Sequence, residues 1–330
     1  MGVLAMHAPD GFLSGPVAVV TGLVSLAICG LALRVVEREA LQERVVLAGV
    51  VGAFIFAGQM FNFPVAAGTS GHLMGGTLAA ILLGPWLGSL VVAVVVLVQA
   101  LVFADGGITA LGYNVLNMAV VPAFGGWGVF RLLRRFFPPN RSGVVASTAL
   151  ASGVGVVLSS VAFSLEWLFG ATAPVAFDDV FAAMVGVHAL IGIGEAVISG
   201  SAVGAVLAAR PDLVYGATDL SPESVASCTP VGLRTFVLAS LLVAVVFAAV
   251  VSQFASPDPD GLERVAADKG FIQSAREHPL ADSPFADYAT RGIDHERLSL
   301  ATAGIAGVFL TLAVTGGVGL ALRGIEGRRV

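Results

Sequence analysis

The chain has 330 residues, 57% of them hydrophobic and 12% charged, with a formal net charge of −5 and a mean hydropathy of +0.92. Soluble domains carry about 25% charged residues, so composition argues against a soluble enzyme, and no basic stripe exists to meet a nucleic acid. The 41 glycines suit transmembrane helices that pack closely through small residues.

Apolar stretches of about 20 residues span a bilayer core as helices. In chain order the sequence predicts nine such segments, at 15–33, 45–62, 71–85, 86–104, 113–130, 143–165, 179–208, 235–254 and 298–322. The third is short and glycine-rich and reads as partly re-entrant. The expected fold is therefore all-α and polytopic: a seven-helix bundle followed by a two-helix hairpin. Threading the segments alternately, N-terminus outside, sends Arg34, Arg38, Arg44, the arginines at 131–141, Arg210, Arg234 and the C-terminal arginines to one side. The short loops opposite receive neither Lys nor Arg, so positive charge assigns an outside N-terminus and a cytoplasmic C-terminus. The polar segment 255–297 also falls outside, rich in carboxylates and holding His278 and His295. Residues 211–233, rich in Pro, Ser and Gly, read as a cytoplasmic linker. The expected division is 1–211, 212–233 and 234–330.

The leading residues MGVLA lack a basic region and an apolar region of their own, so no cleavable signal is expected. Cys29 and Cys228 fall in a span and in the linker, with no metal-site spacing and no disulfide expected. No HExxH, CxxC, Walker A or GxSxG pattern occurs. An enzyme would need a catalytic set at the membrane surface, and none is evident. A secondary transporter working alone would need coupling carboxylates within the spans, where the sequence offers Glu195.

The donors that stand out are histidines. His7 and His72 both lie beside helix ends on the outer side. If the chain begins at Met6 rather than Met1, its α-amine, the deprotonated amide nitrogen of His7 and His7 Nδ1 chelate one ion through a five- and a six-membered ring. The fourth planar position then suits a second imidazole, and His72 is the candidate. Four planar nitrogens favour Ni(II), Cu(II) or low-spin Co(II) over Mg or Ca. The other reading puts His7 at the membrane interface and makes His72 a helix cap, and the residues alone leave both open. Asp10 and Gly11 shape a turn that folds the N-terminus back. Asn114 and Asn117, three apart, share a helix face and serve either to orient the site or to bond neighbouring helices. His188 and Glu195, seven apart, share a face of the seventh span, where ionisable groups are costly. They read either as a packed structural pair or as parts of a metal path.

MHAPDGFLSG (Met6 to Gly15) closely resembles MHIPDGFL, the N-terminal signature of the CbiM/NikM family, the substrate-capturing membrane subunits of energy-coupling-factor importers for cobalt and nickel. TSGHLMGGTLAAILLGPWLG (Thr69 to Gly88), FADGGITALGYNVLNM (Phe103 to Met118) and HALIGIGEAVISG (His188 to Gly200) are similar to further family blocks, in the same order. SPDPDGLERVAADKGF (Ser256 to Phe271) and FADY (Phe285 to Tyr288) resemble the PDGLE segment of CbiN/NikN, the two-helix partner, here fused in one chain. The resemblance implies metal ligands at Met6, His7 and His72. It implies Co²⁺ or Ni²⁺ as transported ligand with no resident cofactor, and fusion leans slightly to nickel. It also implies cytoplasmic ATPase subunits and a CbiQ/NikQ-like coupling subunit as partners. MGVLA ahead of Met6 departs from the pattern, because it turns the α-amine into an amide and breaks the first chelate ring.

Overall fold

A computed structural model describes residues 7–38, 42–66, 68–220 and 231–326, which are mostly helical. Met6 and Cys228 lie outside the described residues. Helix α1 (Gly15–Arg38) leads to α2 (Gln42–Gln59), a small hairpin of β1 (Phe63–Pro64) and β2 (Ser70–Gly71), then α3 (Gly76–Leu83) and α4 (Pro85–Val102). Next come α5 (Leu111–Val115), α6 (Val121–Leu133), α7 (Arg141–Gly170) and α8 (Phe177–Ala209). The C-terminal part holds α9 (Leu233–Ala249), the short α10 (Gly261–Lys269) and α11 (Glu296–Glu326). By length and composition seven of the described helices can cross a membrane, with α5 and α6 counted as one continuous helix over Leu111–Leu133, and Val46–Gln59 is a shorter apolar helix.

The expected third segment does not span. Its helix, α3, has 8 residues, about 12 Å at 1.5 Å per residue, against a bilayer core of about 30 Å. Left-handed Gly75 (φ 79°) and Gly84 (φ 89°) bracket it, and Pro85 opens α4 directly afterwards. Every residue of α3 is buried, which explains why GTLAAILL has no polar face. The fold is all-α apart from one two-residue hairpin: Phe63 pairs with Gly71 and Pro64 with Ser70, turning the chain from the end of α2 toward His72.

The long helices pack through small residues as the glycine content implied. A Cβ at Gly153 of α7 would stand 2.9 Å from the Gly192 carbonyl of α8. The opening of the expected linker is folded, since Leu213 and Val214 are buried and Tyr215 packs its ring 5.3 Å from Trp127.

A second, smaller core forms at one end of the bundle. There Phe271, from the segment after α10, takes Phe12 and Trp167 at ring separations of 5.1 and 4.5 Å. All three rings are buried, and burying one such ring away from water contributes about 2 kcal/mol. The loop between the last two long helices is thus part of the packed structure. It anchors the residues that carry His7.

Candidate metal centre

Residues 7–14 form a strap laid across the ends of the helices. Asp10 fastens it. Its Oδ1 accepts hydrogen bonds from Thr109 N (2.7 Å), Thr109 Oγ1 (2.6 Å) and Ala110 N (3.1 Å), and its Oδ2 from Ile108 N (3.2 Å). A carboxylate ahead of α5 satisfies amides that the helix start leaves without partners. The strap's carbonyls are taken up as well: Ala8 O accepts from Asn114 Nδ2 (3.0 Å) and Gly107 N (3.0 Å), and Pro9 O from Tyr113 OH (3.1 Å). Thr172 Oγ1 donates to Gly11 O at 2.6 Å. Gly107 lies so close to the strap that a Cβ there would overlap Asp10 N and Oδ1. Gly107→Ala is accordingly expected to lower stability by about 1–3 kcal/mol, read as an earlier thermal unfolding transition in detergent. An unchanged transition would show that the strap is slack.

The strap places His7 beside His72. The rings stand edge to face, 76° apart in plane, with centroids separated by 5.7 Å. His72 follows β2, and its Nδ1 lies 3.1 Å from Leu73 O. When that nitrogen donates, Nε2 keeps its lone pair, and it sits 4.0 Å from Asp260 Oδ2. His7 turns its amide nitrogen (3.2 Å) and Nδ1 (3.5 Å) toward Asp105 Oδ1. Its buried Nε2 has no hydrogen-bond partner among the described residues. Burial holds the His7 imidazole below the usual histidine range, so the ring is neutral and able to donate a lone pair.

Both rings line a cavity of about 80 Å³ whose wall also includes Asn114, Asn117, His188 and Asp260. Pockets for metabolites run to about 300–1,000 Å³, so this one suits an ion with little of its hydration. Among the described residues no three His, Cys, Asp or Glu side chains form a metal-ligating group. Two imidazoles alone do not complete a metal site.

The remaining candidates divide. Asn114 Nδ2 donates to the strap at Ala8 O, whereas Asn117 Nδ2 donates to Glu166 Oε2 at 2.7 Å. Glu166 lies one residue beyond the segment expected at 143–165, so Glu195 is not the sole carboxyl group within the long helices. His188 faces the cavity with Nδ1 2.8 Å from Met184 O. Glu195 does not pair with it. Its carboxyl oxygens accept from Met74 N (2.7 Å) and Gly75 N (3.0 Å), and the residue is 1% exposed. Glu195 thus clamps the backbone just after His72. Asp10 is likewise spent on α5 and does not line the cavity.

Sequence reasoning passed over Asp105 and Asp260 as site residues. Asp105 stood inside the quoted FADGG block and Asp260 inside PDGLE, but both read as loop carboxylates. In space Asp260 caps α10, accepting from Glu263 N at 2.8 Å, and turns its other oxygen to His72. Burial pushes its carboxyl group up, against the pull of His72. The preceding residues seal the junction: Ser70 N donates to Pro259 O (2.8 Å) and Ser70 Oγ to Asp258 O (2.8 Å). The loop beyond the bundle is thus the roof of the cavity.

Residues 7–213 match the family described as the cobalt uptake substrate-specific transmembrane region, CbiM. The chain belongs to the CbiM family. Residues 234–324 match the PDGLE domain. A chain of Archaeoglobus fulgidus, provisionally named a fused nickel transport protein NikMN, is 37% identical over 310 residues, covering 94% of this chain and 96% of that one. A provisionally named metal transport protein of Haloquadratum walsbyi is 42% identical over 223 residues, 66% of this chain and 99% of its own. A solved structure titled as a truncated transition metal transporter superposes with a TM-score of 0.55 at 34% identity, over 61% of this chain and 98% of that one. These relatives are transport proteins rather than enzymes. With the apolar helices, membership of the CbiM family makes this a multi-pass membrane protein.

Proposed function

We propose that the chain is the fused substrate-capture subunit of an ATP-driven, energy-coupling-factor importer for Co²⁺ or Ni²⁺. The observation that carries this reading is the approach of His7 and His72, 65 positions apart in sequence, to 5.7 Å across a cavity of about 80 Å³. In this reading the ion takes His7 N and Nδ1, His72 Nε2 and the α-amine of Met6, a planar nitrogen set that suits d⁷ and d⁸ ions. The last of these donors requires a mature chain that starts at Met6. The distribution of arginines supports a cavity that opens outside the cell and a cytoplasmic C-terminus. Separate cytoplasmic ATPases and a CbiQ/NikQ-like membrane subunit would drive reorientation and release, and the PDGLE part would close over the loaded site.

Purified chain incubated with Ni²⁺ or Co²⁺ is expected to retain one ion per molecule after dialysis, measured by elemental mass spectrometry, while Mg²⁺ is washed away. Retention of neither transition metal would overturn the reading. Intact-mass measurement of the same sample tests the N-terminus, and a metal-loaded chain that keeps MGVLA removes the α-amine from the ligand set.

Asp260→Asn separates the roof's two jobs. Asn caps helices about as well as Asp, so stability should hold, whereas loss of the carboxylate beside His72 should weaken metal affinity by about 10-fold. Equal affinity in a titration would leave Asp260 with its capping role alone.

A further inference from the structure

Three residues other than glycine adopt left-handed backbone among the described residues, and all three surround Asp105. Ala104 (φ 54°) precedes it, and Asp287 (φ 53°) and Tyr288 (φ 56°) face it from the C-terminal part of the chain. Such conformations cost about 1–3 kcal/mol each and persist where surrounding contacts impose them. The contacts are visible. Asp287 N donates to Phe103 O at 2.9 Å, Ser283 Oγ to Val102 O at 2.7 Å, and His278 Nε2 lies 3.2 Å from Gly106 O. The Tyr288 ring stacks on Phe103 at 5.1 Å and 25°, with Phe56 at 6.2 Å. The outcome is a single short bond: Tyr288 OH donates to Asp105 Oδ2 at 2.6 Å. The other carboxylate oxygen, Oδ1, receives His7 N at 3.2 Å and lies 3.5 Å from His7 Nδ1.

We propose that Tyr288 is a positioning residue of the metal centre: it fixes the Asp105 carboxylate, which holds the His7 amide and ring of the metal-free chain in place until the ion takes those two nitrogens. The inference rests on His7 being a metal ligand. Asp105 is 3% exposed and has one oxygen turned to each side, so without the phenol its carboxylate is free to rotate and the two nitrogens of His7 lose a fixed reference. Burial and the adjacent Asp105 push the phenol well above the usual tyrosine range, which keeps it a donor. Groups that orient a ligand typically alter metal affinity by about 10–100-fold when removed. The FADY sequence then has a task in the capture site itself, supplied from more than 180 residues downstream of Asp105.

Tyr288→Phe keeps the ring and its stacking and removes only the hydroxyl. Titration of the full chain with Ni²⁺ in detergent is expected to show about 10-fold weaker binding for Y288F, an unchanged thermal transition, and an altered visible absorption band of the bound nickel. In an Asp105→Asn background the same substitution should have little additional effect, because the two act through one bond. Wild-type affinity in Y288F, or a 10-fold loss that repeats in full in the D105N background, overturns the proposal while leaving His7 as a ligand. A wild-type chain that binds no Ni²⁺ overturns both.

Discussion

Replacing His72 with alanine is expected to abolish retention of Ni²⁺ and Co²⁺, lowering affinity by more than about 100-fold, the upper end of what loss of an outer-sphere partner alone costs. His7→Ala should match it, because each ring supplies one of the four nitrogens of the proposed ligand set. Neither substitution should unfold the chain. The contact of His72 Nδ1 with the carbonyl of the next residue is local, and the strap is fastened by Asp10, Asn114 and Tyr113 rather than by the His7 ring. Metal content per chain, measured beside the unfolding transition, separates the two effects. Full metal retention in both variants would remove these histidines from the site.

Glu195→Ala is expected to be among the most destabilising single changes in the molecule. It strips the acceptors from Met74 N and Gly75 N, and each buried amide left without a partner costs about 1–3 kcal/mol. A total near 2–6 kcal/mol is a large share of the 5–15 kcal/mol by which a typical domain is stable. Gly75 is left-handed and begins α3, so the damage reaches both the central short helix and the position of His72. Glu195→Gln retains one acceptor and should lose about half as much. Thermal unfolding in detergent reads both variants, and a Glu195→Ala chain that melts with the wild type would mean that the clamp contributes nothing.

The sequence declared its membrane character through composition and its helices through apolar length, because both are properties of contiguous residues. The break at 71–85 was visible as shortness and glycine content, yet the shape it takes, α3 buried on all sides, depends on helices far away in the chain. The convergence of His7 and His72 was readable from signature blocks. Glu195 was legible as costly, but its partners are backbone amides, which carry no mark in a sequence. Asp105, Asp260 and Tyr288 escaped for a related reason: each acts across a junction between the two family-matched regions, and an isolated acid in a polar loop looks the same whether it is solvated or closing a cavity. Glu166 was missed by one residue of helix boundary, a consequence of reading a helix end from hydropathy alone.

The bond from Ser70 Oγ to Asp258 O joins residues 188 positions apart, and the roof it secures is among the last parts of the chain to be synthesised. A ribosome that has delivered the first eight helices has made a cavity with histidines but no cover. Completion of the centre is therefore timed by translation: a truncated product, from a nonsense codon or a stalled ribosome, carries the histidine pair and lacks both Asp260 and Tyr288. Fusion into one reading frame fixes the two parts at equal stoichiometry, so each finished histidine pair leaves synthesis with its own roof.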